Sequence, residues 1–230
     1  MKRLYIIVEG QTEEEFVNSL LIPFFTSIGI HNVSPLLLST GSKHKQKGGG
    51  LNYDRFKYNI ESKLKSEKDI IVTSLIDFFK LDTSFPKFEE SKKINDKDKV
   101  QRVDFLEKAI AENINSERFI PYIQLHEFEG LLFSDTKGFD YLDKIDDDGR
   151  EKLYSIVREN PNPELLNDGL QTAPSKRLND LIPAYDKSID GPIIAIENTL
   201  ATTMKKCPRF KNWIETLIAE LKNEKNYFVY

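Results

Sequence analysis

Between Asp69 and Asp77 the chain reads Asp-Ile-Ile-Val-Thr-Ser-Leu-Ile-Asp. The run holds no glycine or proline and is apolar on both faces of an extended strand. Such a strand must be covered on both sides, which is the situation of a central strand in a parallel sheet. Leu4-Tyr-Ile-Ile-Val8 is of the same kind and is stopped by Gly10. Helical spacing follows it. Thr12 suits an N-cap, Glu15 would complete a capping box, and Phe16, Leu20, Leu21 and Phe24 share a face up to about Ser27. A second strand is expected over 33–39 and a helix over 51–66, where Tyr53, Phe56, Ile60 and Leu64 align. Val100, Val103, Leu106 and Ile110 mark another helix. Phe119-Ile-Pro-Tyr-Ile-Gln-Leu125 reads as a fourth strand, placed at an edge by Pro121. The polar stretch 78–99 between them is expected to be a long surface loop.

Residues 1–135 thus alternate strand and helix. They predict an α/β domain with a mostly parallel four-stranded sheet and helices on both faces. After about residue 136 the strand signals stop. Helices are expected at 151–159, 174–185, 192–204 and 208–221, the last with the stripe Phe210, Trp213, Ile214, Leu217, Ile218 and Leu221. Residues 136–230 therefore read as a helical extension packed on the first domain as one compact unit.

Composition narrows the function classes. With 39% hydrophobic and 30% charged residues the chain fits a globular protein, not a disordered or collagen-like one. No apolar run approaches the roughly 18 residues of a spanning helix, so no membrane partner is expected. The apolar stretch at the N-terminus is too short for a signal peptide and ends at Glu9. The single Cys207 excludes an internal disulfide and a multi-cysteine zinc site. It reads as a structural thiol in a reducing, cytoplasmic setting. A net charge of −4 argues against coating nucleic acid by bulk charge, but not against a local basic patch or a metal-bearing site.

The placement of the acids carries the most chemistry. In parallel α/β sheets, ligands bind beyond the carboxyl ends of the strands. Glu9 follows the first strand, Asp77 ends the third, and Glu127 and Glu129 follow the fourth. They are expected to converge on one edge, as an oxygen-rich site suited to Mg²⁺ or Mn²⁺. Glu13, in the first helical turn, is either a further ligand or a helix-start residue favoured by the helix dipole.

Cationic partners for a phosphate are available in two places. Lys43, Lys45 and Lys47 lie in the glycine-rich loop 41–50, which lacks the Gly-Lys-Ser/Thr of a Walker A motif. Lys176 and Arg177 lie at a helix start after Pro174, where backbone N–H groups would assist them, and Lys187 follows. Plain solvation is the alternative for each. His126 is either a ligand or general base, or a hydrogen-bonded structural residue.

Three segments carry a family resemblance: Ile-Ile-Val-Glu-Gly-Gln-Thr-Glu (6–13), Leu-Ile-Asp (75–77) and His-Glu-Phe-Glu-Gly-Leu-Leu-Phe (126–133). Pro-Ser-Lys-Arg-Leu (174–178), Tyr-Asp-Lys (185–187), Asp-Gly (190–191) and Cys-Pro-Arg-Phe-Lys-Asn-Trp (207–213) extend it over nearly the whole chain. Together they resemble a bacterial family of unknown function in the Toprim-like group, related to the RloB-type proteins and the OLD-family (overcoming lysogenization defect) nucleases. The resemblance implies a Toprim-like, Rossmann-like fold and Mg²⁺-dependent phosphodiester chemistry on DNA or RNA. It implies that Glu9, Asp77 and Glu129 are catalytic, that Glu13 joins them on the metal, and that Glu129 is favoured over Glu127. It also implies an ATPase partner in defence against phage, and is compatible with a homodimer. One departure stands out. The family Asp-x-Asp is Asp77-Phe78-Phe79 here, so Asp82 or Glu129 would replace the second acid, or the fold serves as a non-catalytic binding module.

Overall fold

The computed structural model describes residues 2–38, 51–94, 98–166, 169 and 172–222. Its centre is a sheet in the order β2-β1-β3-β4, with β5 also paired to β3. The strands are β1 (Arg3–Val8), β2 (Val33–Leu37), β3 (Ile70–Asp77), β4 (Phe119–Ile120) and β5 (Ile123–Gln124), and every pairing among them is parallel. β1 and β3 are central and buried almost throughout, as their unbroken apolar runs require.

Alternate residues of the central strands feed two cores. Leu4, Ile6, Val8, Ile71 and Leu75 face one side, and Tyr5, Ile7, Ile70, Val72 and Ile76 face the other. The second core is closed by α3 (Tyr53–Ser66) and α5 (Lys99–Ile114), through Phe56, Ile60, Val103, Leu106 and Ile110. The first core is closed by the helix after β1. That helix starts as α1 (Gln11–Phe16), passes through a π-helical stretch (Val17–Leu21) and ends as α2 (Ile22–Ser27).

Against the same first core lie the later helices. They are α6 (Lys137–Asp140), α7 (Asp147–Glu159), α8 (Pro174–Leu181), α9 (Asp190–Asn198), α10 (Leu200–Lys206) and α11 (Pro208–Lys222), counting after the short α4 (Phe88–Ser91). Leu153, Leu178, Ile194, Phe210, Ile214 and Leu217 share one buried cluster with Leu4, Ile6 and Phe16.

Four details differ from the sequence expectation. The fourth strand breaks at Pro121-Tyr122, because hydroxyls of β3 replace ladder bonds there. Ser74 Oγ donates to Tyr122 O and accepts from Tyr122 N, both at 3.0 Å. Thr73 Oγ1 donates to Ile120 O at 2.6 Å and accepts from Trp213 Nε1 at 2.8 Å, and the Trp213 ring stacks on Tyr122 at 4.4 Å. Outward from the break, Ile123 N donates to Glu107 Oε1 and Ile123 O accepts from Arg209 Nη1. Pro121 does sit on the sheet edge.

The first helix begins at Gln11, after an extended Gly10, and not after Thr12. The stretch 78–99 is no mere surface loop: Phe78, Leu81 and Phe85 are buried in the second core. The helix expected over 192–204 is two, α9 and α10, divided at Thr199, whose φ is 64°. Asn198 holds the break together: its Oδ1 accepts from Gly138 N at 2.9 Å and its Nδ2 donates to Leu132 O at 2.7 Å.

Candidate acidic cavity at the sheet edge

The parallel ladder brings Val8, Asp77 and Gln124 to the same end of the sheet: Val8 pairs with Leu75, and Asp77 with Gln124. Glu9 follows directly at that edge. Beyond β5, His126 takes a left-handed φ of 66°, an uncommon conformation that turns the chain back. Its carbonyl accepts from Phe79 N at 2.7 Å. A 3-10 helix (Phe128–Ser134) then starts over the end of β3, and Asp77 Oδ1 accepts from Phe128 N at 2.8 Å.

A cavity of about 320 Å³ opens at this place. One wall is acidic: Glu13, Asp77, Glu127 and Glu129. The other comes from the later half of the chain: Ser175 and Asn179 of α8, and Tyr185 and Lys187 of the turn after it. Ser175 and Asn179 are four residues apart and so lie on one helix face.

The acids differ in what they do. Glu13 Oε2 accepts from Gly10 N at 2.9 Å and so anchors the helix start. Both roles open to it are therefore compatible, since it also lines the cavity. Glu127 is spent on α8: its Oε2 accepts from Ser175 N at 2.9 Å and its Oε1 from Ser175 Oγ at 3.0 Å. A carboxylate thus already sits on the helix N-terminus where the sequence suggests a phosphate site. Glu129 is buried, and burial first, then Glu127, pushes its carboxyl up to about 7, against an opposing pull from Lys187. Asp77 is held well above the ordinary 3.8 by burial, then by Glu129, Glu13 and Glu127. Glu9 is exposed and is not among the residues that line the cavity, although it lies near enough to Glu13 and Lys187 to feel their charges. Partial desolvation and then Glu13 still raise its carboxyl, with Lys187 the largest opposing influence.

The other candidates are placed as follows. Lys187 alone of the described basic candidates lines the cavity. Lys176 pairs with Asp180 one turn along, and Arg177 Nε donates to Thr172 O at 2.8 Å. Neither reaches the cavity, because successive helical residues point about 100° apart. Asp82 Oδ1 accepts from Ser84 N at 2.9 Å in a turn and does not line the cavity either. Lys43, Lys45 and Lys47 lie outside the described residues. Cys207 is buried, and burial raises its thiol, as befits a structural residue.

Ser175, Asn179 and Tyr185 were not singled out from the sequence, although Ser175 and Tyr185 fall within the quoted motifs. The Tyr185 hydroxyl is buried and makes no hydrogen bond among the described residues. Burial, then Glu129, raises its pKa.

The donor chemistry of the acidic wall fits a hard divalent cation: all-oxygen, multiply anionic, and strained by mutual repulsion that a cation would relieve. Its geometry is open. Among the described residues, no three Asp, Glu, His or Cys side chains are arranged to hold an ion as they stand. No helix among the described residues is long and apolar enough to cross a membrane.

A model of the Domain of unknown function (DUF4276) matches residues 8–218. The chain belongs to this family. The DUF4276 chain is also similar in structure to the C-terminal region of the Burkholderia pseudomallei OLD protein, with a TM-score of 0.50 and 20% identity, over 95% of this chain and 99% of that one. The C-terminal region of the Xanthomonas campestris pv. campestris OLD protein gives a TM-score of 0.46 and 14% identity, over 95% and 97%. The likeness to the Burkholderia protein is one of fold: a parallel α/β sheet flanked by helices. No curated protein matches the DUF4276 chain.

Proposed function

We propose that this protein is a divalent-metal-dependent phosphodiesterase acting on DNA or RNA. The observation that supports it is the meeting of Glu13, Asp77 and Glu129 in one cavity at the carboxyl edge of a parallel sheet, with Lys187 lining the same cavity and Glu9 within electrostatic reach of Glu13 and Lys187. In this reading Glu9, Glu13, Asp77 and Glu129 hold Mg²⁺ or Mn²⁺. When bound, the ion supplies Lewis-acid polarisation of the phosphodiester and a more acidic water. Lys187 balances charge on the phosphate. Glu127 holds α8, and through it Ser175 and Asn179, against the acids. An ATPase partner and a part in defence against phage belong to the same reading.

Incubation with plasmid, linear DNA and RNA in Mn²⁺ tests it. Cleavage that disappears in Glu9→Gln and Asp77→Asn is the expected result. Cleavage surviving both substitutions, or no cleavage by the unaltered chain with any divalent ion, defeats it.

A second reading, a non-catalytic module that binds nucleic acid or the ATPase, draws on two observations. Phe79 stands where a second Asp would, and the acids are not closed on an ion-binding geometry. It predicts binding without turnover.

A further inference from the structure

Tyr185 lines the cavity, and its hydroxyl is shielded from solvent and has no hydrogen-bond partner among the described residues. Buried hydroxyls are nearly always paired, so an unpaired one on a cavity-lining side chain points to something that enters the cavity. The turn that carries it is braced. Lys144 Nζ donates to Ala184 O at 3.0 Å and to Asp190 Oδ2 at 2.6 Å, and the same Asp190 oxygen accepts from Asp186 N at 2.7 Å. Ala184 is held at a φ of 49° within this brace. The backbone on both sides of Tyr185 is therefore held without help from the acids of the cavity.

We propose that Tyr185 is a substrate-orienting donor, its hydroxyl donating to a non-bridging oxygen of the phosphate group held in this cavity. This rests on the phosphodiester reading above. A phenol keeps its proton at neutral pH, so it offers an anion a donor and adds no charge. Carboxylates on the facing wall would repel a phosphate on their own. A metal ion would hold one side of the phosphate, and Tyr185 and Lys187 would hold the other.

Calorimetric titration of the whole chain with thymidine 5′-monophosphate tests this, with Ca²⁺ replacing Mg²⁺ to suppress turnover. Tyr185→Phe keeps the ring and removes only the hydroxyl. It is expected to bind the nucleotide roughly ten- to hundredfold more weakly, with Ca²⁺ affinity unchanged and the ligand-free thermal midpoint unchanged or higher. In cleavage assays the variant should raise KM more than it lowers kcat. Equal nucleotide affinity in both proteins overturns the inference while leaving the phosphodiester reading intact. A crystal soaked with the nucleotide provides a second measurement that does not depend on the variant folding. A phosphate oxygen within hydrogen-bond distance of the hydroxyl supports the inference, and a hydroxyl bonded only to water overturns it. An unaltered chain that binds neither the ion nor the nucleotide overturns both readings.

Discussion

Asp77 Oδ1 accepts from the Phe128 amide at 2.8 Å, so the last residue of β3 is bolted to the segment that presents Glu127 and Glu129. One oxygen of Asp77 orders the site while the group as a whole contributes charge to it. Asp77→Asn retains the acceptor and removes the charge. It is expected to fold with an unchanged or higher thermal midpoint near pH 8 and to lose divalent-ion binding by tenfold or more. Asp77→Ala also leaves the Phe128 N–H unpaired, at about 1–3 kcal/mol. Chemical denaturation of the two variants side by side separates the two roles.

Glu129 and Asp77 bind protons more tightly folded than unfolded. Between the ordinary 4.5 and about 7 for Glu129, the folded chain holds the extra proton, so stability falls as pH rises through that window. Without metal, the thermal midpoint should be higher at pH 5.5 than at pH 8. Mn²⁺ needs deprotonated ligands, so its stabilising effect should be small at pH 5.5 and large at pH 8. Glu129→Gln should make the metal-free profile shallower, leaving the part due to Asp77, and should weaken the rescue. Scanning calorimetry across pH, with and without Mn²⁺, reads all three.

Glu127 acts as a remote cap on α8, just as buried Glu164 caps α11 by accepting from Arg209 N at 2.9 Å and Phe210 N at 3.0 Å. Both helices open with proline, which lacks one of the donors a helix start must satisfy. Glu127→Ala should lower stability by about 0.5–2 kcal/mol, the usual worth of a cap, with Glu127→Gln recovering part of it. Urea melts of the three proteins check this.

Gly138 lies against α9 so closely that a Cβ would fall 2.5 Å from Ile194 O and 2.8 Å from Ile194 Cα. Backbone cannot yield as a side chain can. Gly138→Ala should therefore cost about 1–3 kcal/mol, as overpacked cores do, and a urea melt measures it.

Much of this fold is readable in the chain because burial on two faces leaves an unmistakable mark. Ile70–Asp77 and Arg3–Val8 lack polar alternation, and the acids after them were placed at one edge by topology alone. What stayed hidden depends on distant partners. Ser74 cannot be seen as a stand-in for ladder bonds until Tyr122 lies beside it. Ser175 and Tyr185 lie inside short motifs and Asn179 in none, but no motif tells their role, which is set by Glu127, Asp77 and Glu129 arriving from residues far off in sequence. Lys176 and Arg177 drew attention by charge, yet helical geometry turns them aside while their uncharged neighbours face the cavity.

The broken fourth strand has a consequence for how copies of this protein meet. A sheet margin ordinarily offers a row of open donors and acceptors on which a foreign strand can grow. Here the margin is two short segments around a proline with no N–H, and the outward amide and carbonyl of Ile123 are already taken by Glu107 and Arg209. That ion pair works as a stopper, denying a foreign strand a template on that side of the folded sheet.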